Sequence, residues 1–97
     1  MKILAFEHEN PGASTEQFQS YAQEEARQVW ELYQAGIIRE PYFRADRRTA
    51  VLVIECTSTE EAEAILANLP FVREALINFE IIPLTAYSGF ARLFNKD

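Results

Sequence analysis

The chain has 97 residues, a length that fits one domain spanning 1–97, and 48% of them are apolar, enough for a packed core. Its formal net charge of −6 argues against the basic face that phosphate binding needs, so no nucleic-acid partner is expected, and it equally disfavours an anionic membrane surface. The lone Cys56 has no internal disulfide partner, no run reaches the ~18 apolar residues of a membrane span, and Met1–Phe6 meets charge at Glu7-His8-Glu9 too soon for a secretory signal, so a cytoplasmic protein is expected.

The first predicted strand is Ile3 to Glu7, closed by the turn residues Asn10-Pro11-Gly12. Ser14 precedes Gln17 by the capping-box interval, which predicts a helix start. Phe18, Tyr21, Ala22, Ala26, Val29, Leu32 and Tyr33 then recur on one helical face, and Gly36 is placed to end the helix in a left-handed cap. Ile37 to Arg44 reads as a second strand; Pro41 cannot donate to a ladder, which predicts an edge or a bulge. After the polar turn Ala45-Asp46-Arg47-Arg48, Thr49 to Cys56 forms the clearest strand. Ser58 and Glu61 repeat the capping-box interval and open a second helix with Ala62, Ile65, Leu66 and Leu69 inward. Pro70 blocks its continuation, and Val72 to Leu76 adds at most one more turn. A fourth strand runs from Asn78 to Leu84, and the tail Tyr87–Phe94 is apolar for a terminus.

The order β-α-β-β-α-β predicts an α+β, ferredoxin-like domain: a four-stranded antiparallel sheet with both helices on one face. A sheet covered on one face alone should alternate apolar and polar residues. Here Ala50, Leu52 and Ile54 oppose an equally apolar Val51 and Val53, and Ile3 and Ala5 oppose Leu4 and Phe6. Both faces demand cover, which predicts a homodimer or higher homo-oligomer with the apolar tail laid across the partner; the alternative is that tail and loops cover the face within one chain.

Glu25-Ala26-Arg27-Gln28, Gly36-Ile37-Ile38-Arg39, Leu69-Pro70-Phe71 and Phe79-Glu80-Ile81-Ile82-Pro83-Leu84 together resemble the muconolactone isomerase family, and the wider dimeric α/β-barrel superfamily, over roughly positions 20 to 84. The resemblance implies a dimeric α/β barrel and a small enzyme without a cofactor, acting by proton transfer on a small anionic or aromatic metabolite. Isomerisation is the first reaction type implied and cofactor-free monooxygenation the second. A non-catalytic ligand-binding or assembly protein is the other class, because fold alone does not choose between them.

In that fold the ends of the first and second strands and the start of the fourth share one edge, which predicts that Glu7 and His8 lie near Tyr42, Arg44 and Glu80. A carboxylate or imidazole there would shuttle a proton α to a carbonyl while Arg44 holds an anionic substrate. The plainer reading is that these are solvated strand ends. Arg39 groups with Glu40 and Glu55, either as an ion pair across adjacent strands or as an anion clamp inside the barrel. Cys56 reads as a buried structural thiol. Glu7, His8 and Glu9 alternate sides of a strand and do not converge on a metal, so none is expected, and no phosphate loop, nucleophile elbow or dinucleotide fingerprint occurs. Trp30, Tyr33 and Phe18 read as packing aromatics, and Arg47 and Arg48 as a turn.

Overall fold

The computed structural model describes residues 1–94. Four antiparallel strands, β1 (Lys2–Glu9), β2 (Ile38–Phe43), β3 (Ala50–Glu55) and β4 (Ile77–Pro83), form one sheet in the order β2-β3-β1-β4. Helices α1 (Thr15–Gln34), α2 (Thr59–Ala67) and the single turn α3 (Pro70–Arg73) pack on one face, and a short 3₁₀ helix, Gly89–Leu93, lies in the tail. This is the ferredoxin-like arrangement, with β1 and β3 in the centre.

Local chemistry sets the element ends. Ser14 Oγ accepts from Gln17 N at 3.2 Å while Gln17 Oε1 accepts from Ser14 N at 2.9 Å, a complete capping box. Ser58 Oγ accepts from Glu61 N at 3.0 Å, but the Glu61 carboxylate takes the Thr57 hydroxyl, so the second box closes on one side only. Gly36 has φ 78°, open to glycine at no steric cost, and reverses the chain after α1. Pro41 sits on edge strand β2 beside a register shift between Ile38 and Glu40, where its missing N–H breaks no ladder. Pro70 ends α2 and also starts α3 as its first residue, where the absent N–H would have been unpaired in any case.

The core lies under α2. Ile3, Ala5, Ile38, Leu52, Ile54, Ala62, Leu66 and Leu69 are buried together, joined by the Cys56 thiol, which donates to Ser58 O. Each large aliphatic among them contributes roughly 1.5–3 kcal/mol of transfer free energy. Helix α1 differs: none of its residues is fully buried. Its sheet-facing stripe includes Ala22 and Ala26, one turn apart, whose short side chains leave space rather than fill it. On the sheet face away from the helices, Leu4, Phe6, Val51, Val53 and Ile82 are only half-buried.

Candidate active-site cleft

The space left by α1 is a cleft of about 700 Å³ between that helix and the sheet. Its walls are aromatic. Phe18 of α1 meets Phe71 of α3 edge-on, with centroids 5.1 Å apart, and Trp30 lies 6.0 Å from Tyr33 further along α1. Phe79 of β4 and Phe43 of β2 complete the lining from the sheet, and the Arg48 guanidinium sits 4.8 Å above the Phe43 ring. Two half-buried carboxylates enter this apolar space, Glu7 from β1 and Glu25 from α1.

Each carboxylate is oriented by a backbone donor. Ala50 N donates to Glu7 Oε1 at 3.2 Å, and Phe71 N donates to Glu25 Oε1 at 2.9 Å. Burial nevertheless dominates at both, holding each carboxyl above the ordinary glutamate range against the backbone bond that favours the ionised form. The charge of Glu7 also raises Glu25, and that of Glu9 raises Glu7, so the cleft disfavours accumulating negative charge. Two carboxyls raised in this way and entering one apolar cleft suit proton delivery and removal on one ligand.

The residues expected to converge at this edge divide. The strand ends do meet, but strand pleat sends successive side chains to opposite faces, so Glu7 points under α1 and His8 points away. His8 Nε2 lies 3.1 Å from Glu80 Oε1 on the far face, beside a smaller depression of about 320 Å³ that Arg44, Phe6, Ile82 and, from the strand edge, Glu7 also line. Arg44 is held by both oxygens of Asp46, at 2.9 and 2.6 Å. Tyr42 borders the cleft, but its hydroxyl donates to Glu40 at 2.7 Å. Arg39 lines neither depression: its Nε donates to Gly36 O at 2.5 Å. The ion pair expected of Arg39, Glu40 and Glu55 is not formed among the described residues, and Glu55 instead lies 3.5 Å from the Met1 amino group. No cluster of three or more His, Cys, Asp or Glu converges on a metal position among the described residues.

Glu25 escapes a reading by charge alone because it is one of four glutamates on α1. The available signal was position: Glu25 lies four residues before Val29 and three after Ala22, within the stripe that faces the sheet.

The family model described as muconolactone delta-isomerase matches residues 5–89. The chain belongs to the muconolactone delta-isomerase family. A crystal structure of muconolactone isomerase superposes with a TM-score of 0.74 at 17% identity, covering 91% of this chain and 92% of that one. The 5-chloro-2-hydroxyhydroquinone dehydrochlorinase of Burkholderia phenoliruptrix, solved with 2,5-dihydroxybenzoquinone, superposes with a TM-score of 0.62 at 18% identity, covering 92% of this chain and 98% of that one. A search of curated proteins finds no match. At these identities the structural likenesses establish the shared fold of the isomerase family.

Proposed function

We propose that this member of the muconolactone delta-isomerase family is an enzyme that moves a proton on a small, planar, unsaturated ligand within the α1 cleft. One observation carries the reading: two half-buried glutamates, each oriented by a backbone N–H and each held above the usual carboxylate range, enter one apolar cleft from opposite walls. The cleft volume of about 700 Å³ falls within the range that encloses small molecules. In the ionised form, Glu7 or Glu25 removes a proton α to a carbonyl. The neutral partner donates to the carbonyl oxygen as the enolate forms, and the proton returns at the far end of the conjugated system. Such acid–base assistance contributes roughly 10²- to 10⁴-fold each. No step in this sequence calls on a cofactor. His8 and Arg44, on the other sheet face, take no part in it, and Tyr42 contributes at the rim.

The working unit in this reading is a homodimer. A folded chain of 11.2 kDa exposes about 5,700 Å² by size scaling, whereas this one exposes 6912 Å². The radius of gyration is 16.2 Å, against about 12.5 Å for a compact domain of this length. Some of the exposed surface is apolar and is of the kind a second copy would cover. In the tail, Tyr87, Phe90, Leu93 and Phe94 are 65–79% exposed, and on the sheet the half-buried face of Leu4, Phe6, Val51 and Val53 stands open.

A thermal-shift screen against unsaturated lactones, quinols and small aromatic carboxylates tests the ligand class. The expected result is a rise in Tm with at least one of these classes that disappears when the cleft is filled by Ala26→Leu. No shift with any of them returns the chain to the reading of a non-catalytic assembly protein.

A further inference from the structure

We infer that Asn10 is a positioning residue for Glu25: its amide holds the turn between α3 and β4 in a left-handed conformation, and that turn keeps Phe71 N on the Glu25 carboxylate. The consequence for proton transfer rests on the cleft reading proposed above; the hold on Glu25 does not.

Helix α3 ends in a pattern that glycine usually closes. Leu76 N donates to Phe71 O at 2.9 Å and Ala75 N to Val72 O at 3.0 Å, the two reverse bonds of a Schellman cap. The residue that turns left-handed in this cap is Ala75, with φ 59°, the only non-glycine of positive φ among the described residues. Its Cβ makes that conformation costly where a glycine would adopt it freely. Asn10, just past the end of β1, offsets the strain. Its Nδ2 donates to Ala75 O at 2.7 Å, and its backbone N donates to Leu76 O at 2.9 Å. The amide is itself oriented, because Asn78 Nδ2 donates to Asn10 Oδ1 at 2.7 Å. The cap is thereby tied to the end of β1 and the start of β4.

Phe71 belongs to both the cap and the cleft. Its carbonyl accepts from Leu76, its N–H donates to Glu25 Oε1 at 2.9 Å, and its ring meets Phe18 edge-on. A slackened cap would let α3 drift and weaken the backbone bond that favours the ionised form of Glu25. The other charges acting on Glu25 are Glu7 from β1 and Arg73 from α3. Along the sequence Asn10 reads only as a turn residue before Pro11-Gly12, because Ala75 lies 65 residues away.

Carboxyl-carbon NMR titration of Glu25 and Glu7 tests this in the full chain without a ligand, in wild type, Asn10→Ala, Ala75→Gly and the double variant. Asn10→Ala is expected to raise the Glu25 midpoint by about half a pH unit or more. Glu7, whose donor Ala50 N lies on β3, is expected to move by less than about 0.2 pH unit. Ala75→Gly should raise Tm and leave the Glu25 midpoint in place. In the double variant glycine holds the cap without Asn10, and the Glu25 midpoint returns to the wild-type value. An unchanged Glu25 midpoint in Asn10→Ala, or a double variant that titrates like Asn10→Ala, overturns the inference. If Asn10→Ala does not fold, the double variant decides alone: folding with the wild-type midpoint supports the inference, and failure to fold or a raised midpoint overturns it. On a lactone that exchanges deuterium in the cleft, Asn10→Ala should slow exchange by roughly three- to tenfold with affinity within about twofold, and the double variant should restore it. Exchange at wild-type rate despite a moved Glu25 midpoint overturns the part of Asn10 in proton transfer. A wild type that exchanges nothing removes the proton-transfer reading and leaves the titration as the test of Asn10.

Discussion

Glu7 and His8 are joined by one peptide bond and work in different environments. The Glu7 carboxylate lies under α1 and accepts from Ala50 N, while the His8 imidazole lies on the other side of the sheet against Glu80. A single residue of strand pleat turns the two side chains to different faces, although Glu7 also borders the depression beside His8.

This separation makes opposite predictions for neighbouring substitutions. Glu7→Gln should lower kcat/KM by about 10²-fold or more with Tm changed by only a few degrees. His8→Ala should retain activity within about twofold. Steady-state kinetics on a substrate found by the ligand screen checks both, and a His8→Ala loss as large as that of Glu7→Gln would move the chemistry to the far face.

Burial raises both cleft carboxyls, so their neutral forms are the ones the fold prefers. Their contribution to stability is fully present below the unfolded value near 4.5 and is lost as pH rises through the raised folded value. Glu25→Gln keeps an oxygen to accept from Phe71 N and removes the ionisation. It should therefore be stabilised relative to wild type at neutral pH, by less than about 1 kcal/mol given the partial exposure of the group, and not at pH 4. Paired thermal melts at the two pH values check the sign. Catalysis should fall in the same variant, the trade between activity and stability expected where a buried charge does chemistry.

Ala22 and Ala26 are the small residues that hold the cleft open. Ala26→Leu should bury more apolar surface, leaving Tm equal or higher, while weakening ligand binding at least tenfold by occupying the ligand's volume. Calorimetry and melting on the same sample separate the two effects. Unchanged affinity would place the ligand elsewhere.

The tail predicts assembly. Light scattering of the full chain at micromolar concentration should give a mass of at least twice 11.2 kDa. Truncation after Leu84, whose N–H is held by Lys2 O at 2.9 Å, should leave far-UV circular dichroism near native and shift the population toward single chains. A full-length mass near one chain would instead mean that the apolar face stays open in solution.

The fold was legible because its signals are local. Ser14 with Gln17, Gly36, Pro41 on an edge strand and the apolar Val51–Ile54 run each have one physical meaning, and they agree with one another. The site was half legible. Glu7 could be placed at the strand edge, but pairing it with His8 ignored the pleat. Arg44 as an anion holder, and Arg39 as an ion pair or an anion clamp, were read without their nearer acceptors, Asp46 and the Gly36 carbonyl. Glu25 was hidden for a different reason. Its setting comes from what lies across the cleft, Phe71 N, and no spacing along the chain encodes that approach. The stripe on α1 was read correctly as a face. That it lines a space instead of filling one follows from the short side chains of Ala22 and Ala26.

The most direct test is solvent-deuterium incorporation into an unsaturated lactone that binds the cleft, followed by NMR in the wild type, Glu7→Gln and Glu25→Gln. Exchange at the carbon α to the carbonyl is expected in the wild type, with its loss by about two orders of magnitude in each variant. Exchange at wild-type rate in both variants, or none by the wild type on a lactone shown to be bound, would contradict it.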